Sequence, residues 1–320
     1  MTVFERKGSL LAEIKAYAPG IYARSEELVQ ATRDLDRGRT TEDAVDGQRD
    51  ADLSSFLDIQ RQARLDYLSD GLLSWQDIFR PFDESARGLR PGPLTRLPGT
   101  NTFFRAPAVE SGRPYLTEAL DEPYFRISQL PRGSWVATLP SPHALAVSAA
   151  GDIEPKAVAE GVVGPQIRRL AETGCAMVVL QESLPFDRAL DVHRLHEAIR
   201  SLESPLPLAL QLPFADAGKV LASFMELEVE AIGVDCYATD VCALPRPFPK
   251  TLLAGVIDAR NSLLEKPEEL AKFGRRLTEE IEGEVHLVPN GDLQFVPERI
   301  ARQKVLRLGA TAGLLKDAAI

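Results

Sequence analysis

Cysteine is scarce in this chain. Three residues in 320 (Cys175, Cys236 and Cys242) offer no spacing that reads as a disulfide framework. Long apolar runs are missing too, and nothing approaches the ~20 residues of a membrane-spanning helix. The opening residues, Met1-Thr-Val-Phe-Glu-Arg-Lys-Gly8, lack the apolar centre of a signal peptide. Positive charge is in deficit. Lys plus Arg total 37 against 47 Asp plus Glu, a net charge of −10. A surface of that sign repels phosphate backbones and excludes nucleic acid as a partner. No glycine-rich turn follows the first apolar segment, which argues against a doubly wound dinucleotide-binding sheet. These absences leave the expectation of a cytoplasmic protein that handles small molecules.

What is present is a repeated strand, polar turn and helix. The segment Val285-His-Leu-Val-Pro-Asn-Gly-Asp-Leu-Gln294 shows it best: an apolar run stops at Pro289, turns through Asn290-Gly291-Asp292, and gives way to a helix opened by Pro297 and Glu298. Strands are expected near residues 4–9, 65–70, 133–140, 176–182, 206–213, 231–236, 252–258 and 285–290. Helices are expected over 10–18, 25–31, 41–60 (with Thr40 as a weak cap), 154–173, 189–202, 217–226 and 268–281. Residues 84–100, rich in Pro, Gly and Arg, read as a long loop. The run Thr102-Phe-Phe-Arg-Ala-Pro-Ala-Val109 starts an excursion of hairpin type. The strands are runs rather than alternations, so they are buried on both faces and parallel. Eight such units over residues 1–320 predict one α/β domain, a single (β/α)₈ TIM barrel with a hairpin excursion after the second βα unit. A doubly wound sheet is the alternative.

The strand ends resemble those of the cobalamin-independent methionine synthase family, in its short form with a single catalytic barrel. Gly8-Ser9, Leu65-Asp-Tyr-Leu-Ser-Asp-Gly71, Phe104-Arg-Ala-Pro-Ala-Val109, Thr138-Leu-Pro-Ser-Pro142, Gly255-Val-Ile-Asp-Ala-Arg-Asn261 with Glu265, and Val288-Pro-Asn-Gly-Asp-Leu293 keep the family's order. The resemblance implies methyl transfer to the thiol of homocysteine, held as a thiolate by zinc. The zinc ligands of the family, a His-x-Cys pair, a Glu and a distant Cys, fall here on Gln211, Pro213, Asp235 and Gly291. Only Asp235 keeps a ligand-type side chain. The two carboxylates for the substrate ammonium fall on Leu72 and Gln181. Metal site and amino-acid site are altered together, so the resemblance implies a diverged member without zinc, and no other cofactor is assigned.

Candidate residues follow from position. Asp235 ends a strand, where barrels place their chemistry, and His143 follows Pro142 at another strand end as a possible acid or base. Ser9, Gln181, Gln211 and Asn290 are candidates for substrate contact. Glu182 reads as a loop-orienting group. Gln211, Asn290, Asp292 and Asp235 form an oxygen-rich set that suits a hydrogen-bonded network, or a hard cation such as Mg²⁺. Asp235, Cys236 and Cys242 could improvise a metal site of no known spacing. Asp258 and Arg260 read as a structural pair, His193 and His196 as solvated, His286 as remote from the site, and Trp75 as core. Two functions stand: a methyltransferase-type enzyme of one-carbon metabolism acting on a small metabolite, or a non-catalytic barrel that binds a small molecule or docks a methyl-carrying protein.

Overall fold

Apolar runs of four to seven residues with no alternation become parallel strands covered on both faces. The structure is a computed structural model, and it describes residues 14–96, 102–110, 112–122, 124–182, 190–281 and 283–318. In chain order the elements are β1 (Ile14–Ala16), α1 (Glu26–Asp36), α2 (Glu42–Gln62), α3 (Arg80–Ser85), β2 (Ala86–Arg87), β3 (Leu89–Arg96), β4 (Phe103–Val109) and β5 (Tyr115–Leu116). There follow β6 (Val136–Pro140), α4 (Pro142–Ser148), α5 (Pro155–Val158), α6 (Gly164–Thr173), β7 (Met177–Gln181), α7 (Val192–Arg200), β8 (Leu208–Gln211) and α8 (Leu221–Phe224). The chain closes with β9 (Ala231–Asp235), β10 (Thr251–Ile257), α9 (Pro267–Ile281), β11 (Val285–Pro289) and α10 (Glu298–Asp317).

One parallel sheet of seven strands, ordered β1-β11-β10-β9-β8-β7-β6, organises these elements. It curls until residues 66–68 touch both of its edges. The Asp66 amide donates to Ala16 O at 2.8 Å on the β1 side. On the β6 side Leu68 N donates to Ser134 O at 3.0 Å and Val136 N to Leu68 O at 2.8 Å. Alternate residues then face two different cores. Tyr17, Val136, Met177, Val179, Ala209, Ala231, Leu253 and Val288 pack with Tyr67 on the concave side. Their neighbours, such as Val178, Leu180, Leu210, Ile232 and Leu252, pack outward against helix residues including Ile167, Leu195, Leu277 and Leu308. Each such fully buried aliphatic side chain contributes about 1.5–3 kcal/mol. No helix of the described residues is long and apolar enough to cross a membrane.

Local chemistry explains the helix ends. Ser25 caps α1 by accepting from Leu28 N, and Asp52 on α2 in turn accepts from the Ser25 amide and hydroxyl. Thr41, not Thr40, caps α2, accepting from Ala44 N. A π turn over Ala159–Val163 joins α5 to α6. Pro165 explains it, since its missing N–H interrupts the regular ladder.

The structure corrects several expectations. Residues 4–9 and 10–13 lie outside the described residues, but 14–16, expected as helix, are strand β1, because Ala16 and Tyr17 must reach into opposite cores. Residues 65–70 form only an isolated bridge from Leu68 to Trp135; the polar Asp66, Ser69 and Asp70 turn the chain instead. Part of the stretch read as a loop is strand β3, paired antiparallel with β4. Pro91 and Pro93 are tolerated there because β3 is an edge strand, paired among the described residues only with β4, and its register shifts between Pro91 and Leu94. Gly92 permits the close approach, since a Cβ on it would sit 2.9 Å from Ala108 Cβ. Helix α8 is four residues, shorter than the expected 217–226.

Candidate functional site

The C-terminal ends of the strands place a polar layer over the apolar concave core. Following the alternation up β6, β7, β8, β9 and β11, the positions above the core are Thr138, Gln181, Gln211, Asp235 and Asn290, and all of them are buried. Two glycines make room. Gly233 and Gly255 carry no side chain, and a Cβ on Gly233 would come within 3.0 Å of Gln211 Cα and Cβ. Across that gap Gln211 Nε2 reaches Pro289 O at 2.9 Å.

The layer divides into two networks. In the first, Asp292 Oδ1 accepts from Gln181 Nε2 at 2.7 Å and from Ile21 N at 3.1 Å, and Oδ2 accepts from Gln294 Nε2 at 3.0 Å. Thr138 Oγ1 joins it by accepting from Gly20 N at 2.8 Å. Gly20 has φ +89°, and a Cβ there would strike Asp292 Oδ1, so only glycine fits this turn. Burial pushes the Asp292 carboxyl up, against the lowering pull of its donors Gln181, Ile21 and Gln294. In the second network Asp235 Oδ1 accepts from Tyr237 N at 2.8 Å. Asn290 Oδ1 accepts from Ala259 N at 2.8 Å, and its amide donates to Asp258 Oδ1 at 3.3 Å. Burial raises the Asp235 carboxyl as well, opposed by Tyr237, Asn290 and Arg260.

A third group is built one residue further on, where Glu182 follows Gln181 past the end of β7. Ser141 caps α4, accepting from Ala144 N at 2.9 Å while its hydroxyl donates to Glu182 Oε2. The other oxygen of Glu182 meets His143 Nδ1 at 3.0 Å. A carboxylate can only accept, so Nδ1 is the nitrogen that donates, and in the neutral imidazole Nε2 then presents a lone pair. Nε2 is buried and has no hydrogen-bond partner among the described residues. Glu182, read from the sequence as orienting a loop, orients the imidazole.

The expected residues sort accordingly. Gln181 and Asp292 come together, as do Asp235 and Asn290, so the oxygen-rich set expected around one cation is split between two networks. Ser9 lies outside the described residues. No group of three His, Cys, Asp or Glu able to hold a metal is assembled among the described residues. The improvised site of Asp235, Cys236 and Cys242 is therefore not formed: Cys236 packs against the outer core and Cys242 is exposed. Asp258 and Arg260 stand 4.0 Å apart, a loose pair. Arg260 instead lays its guanidinium 4.6 Å from the centre of the Phe214 ring. His196 is not simply solvated, since its Nε2 meets Ser223 O at 3.1 Å. His286 sits low in the concave core, between Tyr17 and Glu284. Trp75 is core, with its indole N–H donating to Tyr124 O. Sequence reasoning missed Thr138, Gly20 and Phe214. Phe214 was findable, because a large aromatic just after a strand-ending proline stands at the barrel mouth.

Comparison with known proteins reads this arrangement in context. No family model matches the chain. The methionine synthase of Saccharolobus solfataricus is 25% identical over 305 residues, covering 90% of this chain and 91% of that protein. The chain is similar to the methionine synthases along most of its length. The 5-methyltetrahydropteroyltriglutamate–homocysteine methyltransferase of Mycolicibacterium paratuberculosis is 38% identical over 100 residues, 29% of this chain and 13% of that protein. Among solved structures, a B12-independent methionine synthase from Shewanella sp. W3-18-1, in complex with selenomethionine, superposes with a TM-score of 0.76 at 15% identity, over 96% of this chain and 99% of that one.

Zinc, which the methionine synthase family implies, does not fit this donor set. Gln211, Pro213 and Gly291 offer neither imidazole nor thiolate. The space is also taken. A Cβ on Gly291 would come within 2.8 Å of Phe214 Cε1 and Cε2 and closer still to Cζ. Phe214 holds that place in a left-handed conformation, φ +59°, uncommon for a bulky residue. Phe295 packs against it edge-on at 5.5 Å. Gly291→Ala is accordingly expected to destabilise by about 1–3 kcal/mol through overpacking. Phe214→Leu in the same chain should recover much of the loss. Urea denaturation of the four members of the cycle checks this; additive effects would show that the ring and residue 291 do not compete for space.

Proposed function

We propose that this protein is a methyltransferase-type enzyme of small metabolites in which an acid–base pair, His143 and Glu182, takes over the activation that relatives would give to zinc. The observation that carries it is the buried His143 Nε2, without a partner among the described residues, on an imidazole whose other nitrogen is held by Glu182 at 3.0 Å. In the proposed step the acceptor's X–H bond breaks and its proton passes to Nε2. The X–C bond forms as the methyl group leaves its donor, and the proton is returned to the donor's leaving atom. Gln181, Asp292 and Thr138 hold the loop around Gly20 at the mouth and shape the acceptor's seat. We read the whole chain as one domain, with residues 66–68 as the eighth strand position of a (β/α)₈ barrel and β3–β4 as an excursion from it.

The M. paratuberculosis relative is named for 5-methyltetrahydropteroyltriglutamate and homocysteine, so these are the first donor and acceptor to test. The assay follows methyl-labelled product by mass spectrometry against homocysteine and against pools of small amines and thiols, with metal content measured on the same sample. Turnover in zinc-free protein is the expected result. Activity that tracks stoichiometric zinc would overturn the reading. Absence of turnover with every acceptor would favour the alternative, a barrel that binds a small molecule or a methyl-carrying protein without chemistry.

A further inference from the structure

We propose that the floor of the barrel mouth between Asp235 and Gln211 is a subsite for a cationic N–H group of the substrate, an ammonium or an amidinium. The inference deepens the reading above, since it rests on the mouth being where substrate sits. Two buried acceptor atoms there have no donor among the described residues: Asp235 Oδ2 and Gln211 Oε1. Both side chains are essentially inaccessible, with relative exposures of 0% and 2%. A buried acceptor left unmatched costs about 1–3 kcal/mol, so a pair of them on neighbouring strands asks for a common donor.

Their orientations are fixed by their other halves. The amide nitrogen of Gln211 is committed to Pro289 O, so its second atom must be the oxygen. Asp235 Oδ1 is committed to Tyr237 N, which leaves Oδ2; the nearby Asn290 amide, which also favours the carboxylate, makes its hydrogen bond to Asp258 Oδ1 instead. Glycines 233 and 255 keep the neighbouring strand positions clear of side chains. Above lies an aromatic face. Phe214 already carries one planar cation, the guanidinium of Arg260, and aromatic faces attract cations. That guanidinium stops 3.9 Å from Asp235 Oδ2, too far for a hydrogen bond. Arg260 is thus an internal stand-in, partly exposed on its loop, that a ligand cation can displace.

The test is ligand-observed NMR titration of the full chain with benzamidine, with neutral benzamide and with anionic benzoate. Benzamidine should bind at least tenfold more tightly than either. Asp235→Asn should weaken it at least tenfold, Gln211→Leu should weaken it less, and Arg260→Ala should tighten it by removing the competitor. Melting curves confirm that each variant is folded; if Asp235→Asn fails to fold, Gln211→Leu and Arg260→Ala carry the test. Equal binding of benzamide, indifference to the Asp235 and Gln211 substitutions, or weaker binding in Arg260→Ala would overturn the subsite. Binding is read without turnover, so the two proposals fail separately. A protein that takes up benzamidine but moves no methyl group keeps the subsite and loses the enzyme, and the reverse result does the opposite.

Discussion

His143→Gln is expected to lower kcat by about 10²–10⁴-fold, the usual contribution of a positioned general base, while leaving KM and the melting temperature close to the parent's. Glutamine keeps a donor for Glu182 but offers no basic lone pair where Nε2 stood. Glu182→Gln should reduce kcat less, because the imidazole remains, and should also cost about 1–3 kcal/mol of stability. Two contacts are altered at once, the one to His143 Nδ1 and the one to Ser141 Oγ. A purely structural Glu182 would predict the stability loss alone. The separating measurement is the tautomer of His143 by ¹⁵N NMR. In the parent Nδ1 is protonated, and in Glu182→Gln the side-chain amide can also donate, which permits the proton to move to Nε2. A parent imidazole protonated at Nε2, or a kcat indifferent to His143→Gln, would remove the base from the mechanism.

Much of this was legible in the sequence, and the reason is burial on both faces. Strands such as Met177–Gln181 and Ala231–Asp235 lie between two apolar layers, so they declare themselves as unbroken runs. The polar residues at or just past the end of each run then fall at the C-terminal face, and it was there that the family resemblance pointed to Gln181, Gln211, Asp235 and Asn290. Segments that answer to other segments were illegible. Ile14–Ala16 takes its strand form from β11, and its own pattern of Ile, Lys and Ala fits a helix equally well. Residues 89–96 carry two prolines and a glycine, local signals for a loop, and become a strand through pairing with Phe103–Val109. The same limit applies at the site. His143 and Glu182 were each visible, but not as a pair, because 39 positions separate them and only the adjacency of β6 and β7 joins them. Phe214 could be placed near the strand ends from Pro213 before it, but not its role of occupying the space that Gly291 leaves, a relation between two distant positions.

Asp83→Asn is expected to make the protein more stable at alkaline pH, by a few kcal/mol at pH 9, and to change little near pH 4. Asp83 lies in α3, buried, with neither carboxyl oxygen hydrogen-bonded among the described residues. Burial, then the charge of Asp77, push its carboxyl from 3.8 up to about 8, with Arg80 pulling the other way and Glu84 adding to the rise. The sign follows from linkage. In the unfolded chain this group ionises near its ordinary value of about 3.9. From there to pH 8 the folded protein holds a proton that the unfolded chain has released, so stability falls by about 1.4 kcal/mol per pH unit. The contribution is intact below about pH 4 and fully lost above the folded value. Asparagine has nearly the same shape and never ionises, so it removes the loss without opening a cavity. Urea denaturation at pH 4 and pH 9 reads the difference, and a variant whose advantage does not grow with pH would show that Asp83 is ionised in the folded state. The consequence is local. Asp77 also accepts from Arg105 N on β4 at 3.2 Å, so the two carboxyls stand at the foot of the β3–β4 ribbon. Hydrogen exchange across Phe103–Val109 should therefore accelerate above pH 8 in the parent and not in Asp83→Asn, because charging Asp83 beside Asp77 loosens the ribbon's anchor before it unfolds the barrel.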